Sequence, residues 1–230
     1  MEIQMSLSTE FIDIHDSKED YGTILDDFAY KLQNYLVELK IPNSTACVIA
    51  NCLAERMSDH KLYYHTPVHI LSIFDFAKRN NIELEDYEKI AIWFHDAIYD
   101  TYKPFGQNEL LSADFMKALL TPYLSVELID DVHRVICETA NHLDQDTYPP
   151  ANKVLDLDIF TFCTTPKNLD FITECIFKEF QPIERTLFNQ NRKKFLQSLI
   201  KKGYIYRTDL FREKFESLAM DNITKEIESL

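Results

Sequence analysis

The 230-residue chain contains only three glycines, Gly22, Gly106 and Gly203, and no two are neighbours. Phosphate-binding loops of the Walker and dinucleotide type need clustered glycines, because the backbone itself must approach the anion, so both are excluded. Any phosphate met by this chain falls to side chains or a metal. Basic charge is scarce too: 24 Lys and Arg stand against 38 Asp and Glu, a formal charge of -14. Binding to nucleic acid polymers or anionic membranes runs on phosphate neutralisation, so neither is an expected partner. The five cysteines, Cys47, Cys52, Cys137, Cys163 and Cys175, are odd in number and form no CxxC. That argues against a disulfide framework and a zinc ribbon and fits reduced thiols in the cytoplasm. The first twenty residues carry acids where a signal peptide would be basic, and no apolar run reaches the length of a membrane span. A soluble cytoplasmic protein is expected.

What the chain does have is 46% hydrophobic content and 13% aromatics, ample for a packed core. Apolar positions recur at helical spacing, as in Ile24, Leu25, Phe28, Leu32, Leu36 and Leu39, and again in Phe211, Phe215, Leu218, Ile223 and Ile227. Strand alternation is scarce. Breaks rich in Pro, Gly, Asn, Ser or Thr fall near residues 41–44, 102–106, 121–125, 148–152, 164–167 and 203, which divides the chain into about nine or ten helices. Ser44, Thr66, Ser125 and Thr165 are suited to N-caps, with Pro67 and Pro166 then at the first helical position. Gly203 is suited to a helix stop. No repeat, linker or composition shift divides the chain. The expectation is one all-α domain over residues 21–230, preceded by a loosely held extension over residues 1–20.

The chemistry begins at "IAIWFHDAIYD", residues 90–100, where His95 and Asp96 interrupt a segment that reads as a buried helix. Burying an imidazole and a carboxylate costs several kcal/mol unless a partner compensates them, and a metal ion can hold both. A second pair, His15-Asp16, sits in a polar stretch and needs only water. "YYHTPVH", residues 63–69, adds His65 and His69, one ahead of and one within a helix opened by Pro67. "VLDLDIF", residues 154–160, adds Asp156 and Asp158, which diverge on a helix, so only one is expected to reach His95. "ETANH" ends in His142 and "QNELLSA" contains Glu109. His142 is equally suited to a core, since Ile129, Val132 and Ile136 form an apolar stripe on its helix. His60 and His133 read as structural. Lys61 and Arg192 are candidates for substrate contact, although such side chains are usually solvated. Tyr63, Tyr64, Trp93, Phe94 and Tyr99 could line a base-binding pocket, but aromatics at helical spacing more often belong to a core.

A histidine, then a His-Asp pair, then a distant aspartate, all on helices, resembles the HD-domain superfamily of metal-dependent phosphohydrolases. The phrases "YHTPVHI", "AIWFHDAIYD", "NELLSA", "TANH", "LDLDI" and "IYRT" are similar to a family of predicted HD phosphohydrolases, over about residues 55–225. The resemblance implies an HD-type helical bundle in which His69, His95, Asp96 and Asp158 are metal ligands. It also implies that His65 corresponds to the proton-donating histidine of the related cyclic-nucleotide phosphodiesterases. Lys61 stands near the place of an arginine usual in the family, and Met220 replaces another.

Two imidazoles and two carboxylates leave two positions of an octahedral ion for water and substrate, and favour Mn, Fe, Co, Ni or Zn over Mg. The expected function is hydrolysis of a phosphoester of a small molecule, such as a nucleotide, by metal-activated water, with His65 and Glu109 as catalytic groups. His142 and Asp156 would be candidates for supporting contacts or for a second metal. Two other readings remain: an HD-type diiron oxygenase using His142 and Glu109 as extra ligands, and a module that binds metal or nucleotide without turnover. The sequence leaves the substrate, the metal and the oligomeric state open.

Overall fold

The computed structural model describes residues 18–230. The extension expected over residues 1–20, with its His15-Asp16 pair, lies outside the described residues up to residue 17, and Lys18 already begins the first helix. The described chain is all-α, without a strand. Its helices are α1 (Lys18–Glu38), α2 (Asn43–Arg56), α3 (Pro67–Arg79), α4 (Asp86–Phe94), α5 (Gln107–Leu120), α6 (Val126–Glu138), α7 (Asn152–Asp158), α8 (Pro166–Glu179), α9 (Arg185–Lys202) and α10 (Asp209–Ser229). Short 3-10 turns occupy Pro149–Ala151 and Phe160–Cys163. No described helix is long and apolar enough to cross a membrane.

Local chemistry accounts for most helix ends. Ser125 and Thr165 cap α6 and α8 by accepting from the backbone N–H groups of Leu128 and Asn168. Thr66 holds the cap position of α3 in an extended conformation, ahead of Pro67, though its side chain accepts no capping bond. Gly203 ends α9 at φ +93°, a left-handed conformation that costs glycine little. Ser44 is not the cap of α2. Pro42 takes that position, its ring setting an extended entry at φ -55° and ψ 136°, and Ser44 falls inside the first turn.

One apolar core runs from Phe28 on α1 to Ile223 on α10. α1 packs on α2, α6 on both α4 and α5, and α10 on α9 and the Phe160–Cys163 turn. Asn222 joins that last contact by donating to the carbonyls of Phe162 and Thr164.

The clamp that matters for the site is polar. Glu85 and Glu88 form a capping box at the start of α4. Glu88 is buried, and its carboxylate is met by Lys153 Nζ from α7 at 2.9 Å. Lys153 also donates to the Glu83 carbonyl. α4 and α7 are thereby fixed to each other at a point remote from their functional ends.

Candidate metal centre

α4 stops at Phe94, so His95 is its C-terminal cap and Asp96 lies in the following turn. The pair is therefore not inside a buried helix, as its apolar surroundings suggest, but at the end of one. Ile90 to Phe94 are buried on every side, which drives the helix into the core. The chain then turns, with the Ala97 N–H donating to the Phe94 carbonyl. α5 holds the turn in place: Ser112 Oγ accepts from the Ile98 N–H, and Asn108 Oδ1 from that of Asp100.

Four donors converge here. His69 comes from the first turn of α3, His95 and Asp96 from the end of α4, and Asp158 from the last residue of α7. One ligand atom from each lies within 4.8 Å of all the others. His69 Nε2 is 3.1 Å from Asp158 Oδ1 and 3.8 Å from Asp96 Oδ2. His95 Nε2 is 3.1 Å from Asp96 Oδ2 and 3.3 Å from Asp158 Oδ1. An ion with bonds of about 2.1 Å sets adjacent ligands about 3.0 Å apart when octahedral and about 3.4 Å apart when tetrahedral, so the spacing fits a single ion. The donor chemistry fits as well. His95 Nδ1–H donates to the Ile92 carbonyl at 2.9 Å, which leaves the lone pair of Nε2 for the centre. His95 Nε2 and Asp96 Oδ2 are buried, and neither makes a well-directed hydrogen bond despite their proximity. Such orphaned atoms are costly unless a cation meets them. The cluster could hold a metal ion.

The electrostatics agree. Burial pushes the His95 imidazole down, but Asp96 and Asp158 outweigh it and hold the group well above its ordinary value. Burial pushes both carboxylates up, and the His95 charge overcomes it, so Asp96 stays below the usual range and Asp158 well below. A field that retains a proton on His95 is one that attracts a cation in its place.

The remaining sequence candidates take separate positions. His142 joins the rim, with Nε2 2.9 Å from Asp158 Oδ2. His65 lies beside the cluster, its ring stacked on Tyr99 at 3.5 Å between centroids. Glu109 is half-buried on the first turn of α5, and burial, joined by the charges of Asp96 and Asp158, raises its carboxyl above the ordinary value. Asp156 does not join the cluster. Its carboxylate accepts from the backbone N–H groups of Arg207 and Thr208 and from the Thr208 hydroxyl. Burial nevertheless pushes it up to about 6. Arg207 in turn donates to the carbonyls of Asn141, His142 and Asp144, so "LDLDI", "TANH" and "IYRT" meet in a brace that holds the His142 loop.

Arg192 lies in the wall of the cavity next to the cluster, but its guanidinium is tied to Glu226, with Nε 2.8 Å from Oε1. Lys61 is exposed and lines a different cavity of about 570 Å³. Of the aromatic candidates, Tyr64 and Tyr99 line the cavity by the cluster, Tyr63 lines the other one, and Trp93 and Phe94 are core.

Glu179 was not singled out by its sequence context. From the last residue of α8, its Oε1 accepts from the backbone N–H groups of Tyr63, Tyr64 and His65 at 2.8, 2.6 and 2.9 Å. Its Oε2 meets His65 Nδ1 at 2.6 Å. His65 Nε2 is thus the nitrogen left for other partners. Burial pushes His65 down, but Glu179 and then Asp96 outweigh it and leave the imidazole above its ordinary value. A signal did exist in the sequence: Glu179 continues the buried stripe Leu169, Ile172 and Cys175 at helical spacing. A carboxylate on such a stripe demands partners just as Asp96 does.

Comparison with protein-family models, with curated proteins and with solved structures found no match for this chain.

Proposed function

We propose that this chain is a metal-dependent phosphohydrolase of the HD type, acting on a phosphoester of a small molecule. The observation that carries the reading is the convergence of His69, His95, Asp96 and Asp158 on one buried point, with His95 Nε2 and Asp96 Oδ2 lacking hydrogen-bond partners. These four residues would hold a divalent transition metal such as Mn, Fe, Co, Ni or Zn. When bound, such an ion lowers the pKa of a coordinated water and neutralises charge on a phosphoryl oxygen.

The chain's own groups supply the rest. His65 faces the cavity beside the cluster, with Nδ1 held by Glu179, so its Nε2–H can protonate the leaving oxygen. Glu179 keeps that proton in place until transfer, because its negative charge favours the imidazolium. Glu109, raised toward neutrality by burial and the two site carboxylates, is the candidate to accept a proton from water. Asp158 is held between His69, His95 and His142, which fixes the position of its two oxygens before any substrate arrives.

The test is elemental analysis of the wild type beside Asp96→Ala, both checked for helical circular dichroism, followed by a phosphoester screen with the metal found. About one transition metal per wild-type chain, lost together with hydrolysis in the variant, is expected. Full hydrolysis in Asp96→Ala ends the proposal, and two irons with substrate-dependent oxygen uptake replaces it with oxygenation.

A further inference from the structure

The cavity beside the cluster has two unlike sides. It encloses about 380 Å³, within the range of small-molecule sites. His65, His142 and Asp158 form the side toward the cluster. The other side is built from Ile172, Ile176, Phe180, Ile183, Phe188 and Phe195, contributed by α8, α9 and the loop between them. Ile176, Phe180 and Ile183 are half-buried apolar side chains facing this space. The one Lys or Arg side chain in the described wall, Arg192, is neutralised by Glu226, and its guanidinium also lies over the ring of Phe162 at 5.5 Å. A polyphosphate, or a second anionic group on the substrate, would enter this side without a counter-charge, in a chain already at -14. An uncharged apolar group would instead exchange water for hydrocarbon and aromatic contact.

We infer that the site takes a phosphomonoester whose single phosphate meets the metal cluster and whose organic part is an uncharged, apolar alcohol or phenol seated against α8 and α9. The inference rests on the hydrolase reading for the position of the phosphate, but its apolar half does not depend on turnover.

Calorimetric titration of the full chain loaded with Mn²⁺ separates the two. Three phosphonates that are not cleaved serve as probes: methylphosphonate, octylphosphonate and 1-naphthylmethylphosphonate. At least one of the two apolar probes is expected to bind about tenfold more tightly than methylphosphonate, since a few buried methylene groups suffice for that ratio. The ratio should collapse toward unity in Ile183→Glu, whose side chain lies in a loop between helices, and should persist in Leu187→Glu, on the exposed side of α9. Preference for the naphthyl probe assigns a flat phenolic substrate, and preference for the octyl probe an aliphatic one. Equal affinities, no binding by either apolar probe, or an apolar advantage unaffected by Ile183→Glu overturns the inference. An apolar advantage with no phosphoester cleaved leaves this inference standing and removes the hydrolase reading. Hydrolysis of methyl and naphthyl phosphates at equal efficiency does the reverse.

Discussion

Replacing Glu179 tests how the site is held together. Its carboxylate is 1% exposed and accepts three backbone N–H bonds and one from His65, all between 2.6 and 2.9 Å. Glu179→Ala leaves three N–H groups and the His65 ring facing a void. Removing one partner of such a buried set costs about 3 to 5 kcal/mol. Glu179→Gln keeps an oxygen for the N–H groups and loses only the charge-assisted bond, which costs about 2 kcal/mol. The pH dependence follows from the two opposite shifts. Burial raises Glu179, but the His65 charge and the N–H bonds hold it below its ordinary value, so its contribution is present above the unfolded carboxylate value and lost as pH falls through the folded one. His65 lies above its ordinary value, so its contribution is full below the unfolded imidazole value and lost as pH rises through the folded one. The stability gap between wild type and Glu179→Gln should therefore be widest between about pH 5 and 6.5 and should narrow above that window. Urea unfolding followed by circular dichroism measures the gap, and imidazole NMR should show the His65 titration moving down in the Gln variant. A cost below about 1 kcal/mol for Glu179→Ala, the value of an exposed pair, or a gap that does not change with pH, would refute the reasoning.

Three further outcomes are expected. Lys153→Met removes the cation that meets the buried Glu88 carboxylate and leaves it the Glu85 N–H and the Tyr87 hydroxyl; it should cost about 2 kcal/mol and weaken Mn²⁺ binding, because α4 and α7 carry ligands at their far ends. Unchanged Mn²⁺ affinity would show that the clamp does not align the site. Mn²⁺ affinity should rise with pH and binding should release a proton, since His95 is held above its ordinary value and must lose that proton to ligate; calorimetry in two buffers of different ionisation heat measures the release, and a flat profile would contradict ligation through His95. Asn222→Ala removes two buried hydrogen bonds to the Phe162 and Thr164 carbonyls and should cost about 2 kcal/mol while leaving metal content unchanged.

The all-α class was legible because helical spacing of apolar residues and the chemistry of helix ends are local. Thr165, Pro166 and Gly203 act within one turn of themselves, so no distant part of the chain needed to be known. The cost of burying His95 and Asp96 was legible for the same reason: their neighbours Ile92, Trp93 and Phe94 announce burial. The sequence could not say that α4 ends at Phe94, since the turn after it is held by Ser112 and Asn108 of another helix. Nor could it choose between Asp156 and Asp158 from their spacing alone. Tertiary contact decides that, with Arg207 and Thr208 occupying Asp156 while His69, His95 and His142 gather on Asp158. Arg192 reads as a free cation in one dimension and becomes neutralised only because Glu226, thirty-four residues away, packs against it. Local sequence determined which residues form helices and which of them would be expensive to bury. Which partners meet those residues, and hence which carboxylates can hold a cation and what the adjoining cavity can accept, is set by contacts across the fold that carry no local periodicity.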